Sequence, residues 1–299
     1  MAQVIKKKTN SLKIKKNLTG LSFILPNFAG FLVFTVIPVF FSFILAFMKW
    51  DSFSKPEFVG LANFTKMWND TSFWISFKNT IVYTVGVVPL TLICALGLAL
   101  LLNQKIKGVS FFRTAFFFPY VTSLVAIAVV WNMLFHPTMG PINQLLKVVI
   151  ANPPGWTSSS DWALWAIVIV SVWRGMGYYM ILYLAGLQSI SKELYEAASM
   201  DGANNWKQFW NITLPSLRPT TFFVTVMLVI NSFKVFDLIQ VMTDGGPGRS
   251  TNVLVYKIYN EAFVNFEFGY ASAISLVMFV IVLGVTVIQF SWNKRMERV

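Results

Sequence analysis

The sequence predicts an all-α membrane protein of about six transmembrane helices with both ends on the cytoplasmic side. Three observations predict it: an apolar composition, long uncharged runs, and an uneven distribution of basic residues. Hydrophobic residues fill 56% of the 299 positions and charged residues only 12%, about half the roughly 25% charged fraction of a soluble domain. Lipid, rather than water, is therefore the main solvent of this chain.

A hydrocarbon core about 30 Å thick takes roughly 20 helical residues to cross. Apolar runs of that length fall at about 21–48, 79–103, 114–135, 162–187, 220–242 and 268–293. Membrane strands need only about 10 residues of alternating pattern, whereas these runs are continuous, so they read as helices. The first run follows a basic start, as a signal peptide does, but the uncharged stretch from Asn17 to Met48 is too long for such a segment. No small-residue cleavage pattern follows it, so it reads as a retained span. Pro26, Pro38, Pro89 and Pro119 lie within or near the spans and predict kinks, since neighbouring helices satisfy the freed carbonyls.

Orientation follows from the flanking lysines and arginines. With the N-terminus inside, fifteen basic residues fall on inside segments and seven on outside loops, leaving Arg174 and Lys234 within spans. The chain thus divides into a basic cytoplasmic segment at 1–20, a transmembrane domain at 21–293, a cytoplasmic loop at 188–219 within it, and a cytoplasmic tail at 294–299. The net charge of +12 is a topology signal and not a nucleic-acid footprint. Membrane lipid is an expected partner and nucleic acid is not.

Catalytic and metal constellations are missing from the sequence. Cys94 is a lone cysteine in an apolar run, His136 is the single histidine, and no metal-ligand cluster or nucleophile elbow occurs. The run Gly245-Gly246-Pro247-Gly248-Arg249-Ser250-Thr251 lacks the lysine and the preceding strand of a phosphate-binding loop. It falls outside, where contact with an external binding protein is the alternative reading.

The loop between spans four and five is the most informative segment. Ser191 suits a helix N-cap with Glu193 at the positive end of the dipole, and Gly202 suits the stop. A second short helix follows, with Trp206, Phe209 and Trp210 on one face and Pro215 and Pro219 ending it. The aromatics fit either docking into a partner's cleft or immersion in the bilayer interface.

Glu196-Ala197-Ala198, then Gly202, then Ile212, Leu214 and Pro215 resemble the EAA signature of binding-protein-dependent ABC importer permeases; Asp201, Ala203 and Pro219 extend the match. The chain is most similar to the carbohydrate-uptake permeases, the type of the first permease subunit of maltose, glycerol-3-phosphate and multiple-sugar importers. That likeness includes Leu184-Ala185-Gly186-Leu187-Gln188 and the stretch from Phe236 to Pro247. The resemblance implies a type I importer permease fold whose EAA loop is a coupling helix seated on a cytoplasmic ATPase. It also implies a second homologous permease as heterodimer partner, an ATPase dimer that binds ATP and Mg, and an extracytoplasmic solute-binding protein. This chain itself would then hold no cofactor and be no enzyme. The coupling residues implied are Glu196, Ala197, Ala198, Asp201, Gly202, Ile212, Leu214 and Pro215.

Charged residues inside spans usually face a cavity or a partner, because a bare charge at the bilayer centre costs about 2.5 to 3.5 kcal/mol on insertion scales. Arg174, Lys234 and Asp237 are such residues, and the last two, three apart on one predicted helix face, are placed to pair. Hydroxyls and aromatic rings nearby suit a sugar. In the maltose-type permease the substrate-contacting positions align with Ser171, Arg174, Gly175, Tyr178, Ser232 and Val235, so with Lys234 and Asp237 these make the expected substrate pathway. Arg174, Ser232 and Val235 stand where the maltose protein has Leu, Asn and Asn, which puts maltose itself in question. The expected function is half of an ATP-driven uptake pathway for a sugar, with an oligosaccharide as the expected form; a glycerol phosphate importer is the alternative, with a stand-alone secondary transporter behind it.

Overall fold

The computed structural model describes residues 19–104 and 106–296. Of the segment expected at 1–20, only Thr19 and Gly20 fall within that range; Lys105 and residues 297–299 of the expected tail fall outside it.

The first apolar run forms α1 (Thr19–Leu45). A π-helical turn at Leu32–Val36 stands just before Pro38, whose ring crowds the carbonyl four residues back; the wider turn relieves that crowding. An antiparallel hairpin follows, β1 (Met48–Lys49) with β2 (Glu57–Phe58), pairing Met48 with Phe58 and Lys49 with Glu57. Asp51 sets its turn by accepting from the Ser54 hydroxyl and from the N–H groups of Ser54 and Phe53 at 2.7, 2.7 and 3.0 Å. These bonds, the Ser54 hydroxyl's foremost, hold its carboxyl pKa down at about 2.

Helix α2 (Ala62–Asn69) leads through Asp70 into α3 (Thr71–Leu102). Asp70 caps α3 by accepting from the Ser72 N–H at 2.8 Å. The run read as one span at 114–135 is instead two helices, α4 (Val109–Val121) and α5 (Leu124–Leu134), bent by 99°. At about 1.5 Å per residue neither alone reaches across a core of about 30 Å. Pro119 and the extended backbone at Thr122 make the break.

After α6 (Pro141–Leu146) and a 3₁₀ turn at Trp156–Ser158, α7 (Ala163–Gln188) is a long unbroken helix. The loop beyond it forms α8 (Lys192–Met200) and α9 (Asn205–Ser216), and α9 bends by 62° into α10 (Arg218–Phe233). The span read at 220–242 is also interrupted: α10 stops at Phe233 and α11 (Asp237–Met242) begins after a break. Helix α12 (Leu254–Tyr259) and α13 (Phe268–Met296) complete the chain. Lys294 and Arg295 sit in the last turn of α13, where cations complement the helix dipole.

Helices α3, α4, α7 and α10 pack together around two buried clusters, one holding Tyr83, Ile167 and Ile239 and the other Tyr183, Leu217 and Val224. Small residues permit this closeness, as membrane helix interfaces require. A Cβ on Gly177 would lie 1.8 Å from the Phe116 carbonyl oxygen, so α4 and α7 touch backbone to backbone there. Helix α1 is the least covered of the long apolar helices, with 6% of its most apolar window buried against 50% in α7; the rest of this chain leaves its apolar faces exposed.

Candidate functional site

A cavity of about 370 Å³ opens between α3, α4, α7 and the break after α10. Ser171, Arg174 and Gly175 reach it from α7, and Ser232, Lys234, Val235 and Asp237 from the α10–α11 break. One expected residue is absent from the lining: Tyr178. Its ring lies 4.4 Å from that of Tyr120, nearly parallel at 12°, so Tyr178 buttresses a wall residue instead of forming the wall.

The break also corrects the expected Lys234–Asp237 pair. Lys234 caps the end of α10 and Asp237 opens α11, so they do not share a helix face. Ion pairs among the described residues join Lys66 to Glu267 and Lys257 to Asp70 and Glu261, and none involves Lys234 or Asp237.

Arg174 donates from Nη2 to the Tyr120 carbonyl at 3.1 Å and lies 5.1 Å over the Tyr120 ring. Its Nε is buried without a hydrogen-bond partner, and so is the hydroxyl of Thr91 in the same wall. Buried polar groups are rarely left so. Ser171 accepts from the Tyr83 hydroxyl at 2.8 Å, leaving its own proton to donate. Ser232 is committed within the protein, donating to the Val229 carbonyl at 2.8 Å and sharing a hydroxyl hydrogen bond of 3.0 Å with Thr84 Oγ1, and so fastens α10 to α3.

The EAA loop is a rigid two-helix unit. The Ser191 hydroxyl accepts from the Glu193 N–H at 3.3 Å, and Asn204 caps α9 by accepting from Lys207 at 2.9 Å. Between them the Ala203 N–H donates to Ala198 O at 2.9 Å and the Gly202 N–H to Ser199 O at 3.1 Å. This is the Schellman pattern, with Gly202 at φ +78°, and it accounts physically for the interval from Ala198 to Gly202. Tyr195 and Thr213 share a hydroxyl hydrogen bond of 2.9 Å, and Gln208 donates to Ser199 Oγ at 2.9 Å, which locks α8 against α9. Glu196, Ala197, Asp201 and Gly202 are exposed, while Ala198, Ile212, Leu214 and Pro215 are half-buried. Trp206 is 68% exposed and lies edge-on to Trp210 at 5.6 Å.

On the opposite side of the membrane, Lys257 is 4% exposed and pairs with Asp70 at 2.8 Å and Glu261 at 2.9 Å. Tyr270 donates to Asp70 at 2.7 Å, and Lys66 pairs with Glu267 over the Tyr270 ring. Burial resists ionisation of Asp70, but the hydrogen bonds from Lys257 and Tyr270 and the lysine's charge outweigh it and hold the carboxyl below its usual range. The cluster ties α2 and α3 to α12 and α13.

Residues 87–298 match the family described as "Binding-protein-dependent transport system inner membrane component". The chain belongs to this family. It is thus an integral membrane transport subunit and not an enzyme in its own right. The chain is 41% identical over 293 residues to the probable ABC transporter permease protein YesP of Bacillus subtilis, covering 96% of this chain and 94% of that one. It is 32% identical over 276 residues to the probable starch degradation products transport system permease protein AmyD of Thermoanaerobacterium thermosulfurigenes, covering 92% and 94%. A solved bacterial alginate ABC transporter, in complex with an alginate pentasaccharide-bound periplasmic protein, contains a chain of the same fold. It aligns with a TM-score of 0.84 and 22% identity over 95% of this chain and 96% of that one. The importer permease fold expected from the sequence is therefore the fold of this family member.

Three features of the family member escaped sequence reasoning. Tyr120 and Thr91 line the cavity without any local motif, although a threonine two residues after Pro89 in an apolar run was a usable signal. The Lys257 cluster joins residues about two hundred positions apart, so no spacing announces it.

Proposed function

We propose that this chain forms half of the translocation pathway of an ATP-driven sugar importer in a bacterial inner membrane. A second, homologous permease completes the pathway, a cytoplasmic ATPase dimer binding ATP and Mg seats on the EAA loop, and an extracytoplasmic binding protein delivers the solute. One observation carries this reading. The exposed Schellman-turned unit α8–α9 is continuous with the two helices that line the polar cavity, α7 on one side and α10 on the other. A push on α8 and α9 therefore reaches both walls. Coupling falls to Glu196, Ala197, Ala198, Asp201 and Gly202 at the turn, with Ile212, Leu214 and Pro215 transmitting along α9 to the bend.

Family membership and the starch-product and alginate systems among its relatives support the sugar assignment, as do the hydroxyls and the tyrosine ring of the cavity wall. The test is co-purification of the ATPase subunit with this chain. Glu196→Lys with Gly202→Leu should release the ATPase while leaving the two permeases associated in the membrane. Undiminished ATPase recovery with that double variant would remove the EAA loop from the coupling role.

A further inference from the structure

We propose that the cavity selects an acidic sugar, one bearing a ring carboxylate, over its neutral counterpart. This deepens the sugar reading above and rests on it. Among the lining residues the charged side chains are Arg174, Lys234 and Asp237. Neither cation has a carboxylate partner within ion-pair distance among the described residues, so the cavity holds two cations, one anion and an uncompensated positive charge. Arg174 spends one nitrogen on the Tyr120 carbonyl and leaves its buried Nε unpartnered.

A neutral sugar satisfies hydroxyl partners but leaves that charge bare. A carboxylate compensates it with charge-assisted hydrogen bonds, and the guanidinium fork matches carboxylate geometry. A volume of about 370 Å³ lies at the small end of ligand sites, roughly 300 to 1,000 Å³, which suits one or two rings at a time.

Phosphate esters offer the same anionic chemistry, but a monoester carries about 1.5 to 2 negative charges at neutral pH against one net positive charge here. The single charge of a uronate matches better.

The assembled importer, without its binding protein, is titrated calorimetrically with an aldobiouronate disaccharide bearing one ring carboxylate, with the neutral galactobiose, and with glycerol phosphate. The aldobiouronate is expected to bind at least about tenfold more tightly than galactobiose. Arg174→Gln and Lys234→Gln should each remove most of that preference, read as the ratio of the two disaccharide affinities, with gel filtration confirming assembly. Equal affinity for the two disaccharides would overturn acid selection and leave the sugar pathway standing. Tighter binding of glycerol phosphate than of either sugar would overturn the sugar reading while keeping an anion site. Binding of none of the three would overturn both.

Discussion

Replacing Gly202 separates the conformation of the EAA turn from what the turn touches. Its φ of +78° lies in the left-handed region, yet a Cβ placed there meets nothing within 4 Å. Within this chain, alanine and leucine therefore carry the same penalty, about 1–2 kcal/mol for a left-handed L-residue, and no steric clash distinguishes them. That penalty lowers the population of the native turn about five- to thirtyfold relative to its alternatives. Asparagine tolerates the conformation and should lose least. In the proposed assembly the open face of the turn is the face offered to the ATPase, so the bulk of leucine becomes an obstacle only there. Solute-stimulated ATPase activity of the reconstituted importer, with ATPase recovery on purification, should rank Gly202 above Asn, Asn above Ala, and Ala well above Leu. Identical behaviour of the alanine and leucine variants would refute the claim that this face packs against a partner. Full activity of the alanine variant would refute the role of the left-handed turn.

Gly177→Ala places a methyl 1.8 Å from the Phe116 carbonyl oxygen, and since ordinary C···O contacts are about 3.3 Å or more, α4 must move off α7. Overpacking costs about 1–3 kcal/mol, so the melting temperature of the solubilised complex should fall, whereas Gly175→Ala, whose Cβ meets Tyr179 and Thr91 at ordinary distances of 3.7 and 3.8 Å, should leave it unchanged. Lys257→Met strands Asp70 and Glu261 without their cation, a loss of about 3–5 kcal/mol for a broken buried pair, visible as a lower melting temperature and faster proteolysis of the 243–267 loop. Asp70 titrates below its usual value of 3.8 in the folded chain. Its contribution is therefore present above that value and disappears as pH falls through the lower folded value; Asp70→Asn should remove that acid-side loss, measured as the wild-type minus variant melting temperature against pH.

Legibility in the sequence followed the range of the interactions. The EAA turn is built from hydrogen bonds spanning a few residues, so Ser191 and Gly202 announced it. The long helices α3, α7 and α13 each hold an apolar run long enough to span a membrane, which composition reveals directly. Hydropathy averages over single residues, so it merged α4 with α5 and α10 with α11 even though Pro119 and the polar pair Thr122-Ser123 stood in the first run. The second merger put Lys234 and Asp237 on one imagined helix face. Seven of the eight expected pathway residues line the cavity because two helix segments carry them, each readable locally. Tyr120 comes from a third helix, and only the tertiary packing reveals that Tyr178 stacks behind it.

Reconstitution in proteoliposomes tests the central claim most directly. Vesicles holding this chain, its second permease and the ATPase, with binding protein outside and ATP inside, are assayed for entry of labelled oligosaccharide. The account predicts uptake that requires ATP and the binding protein and that stops when the ATPase is omitted. Uptake by this chain in vesicles lacking the ATPase would contradict it.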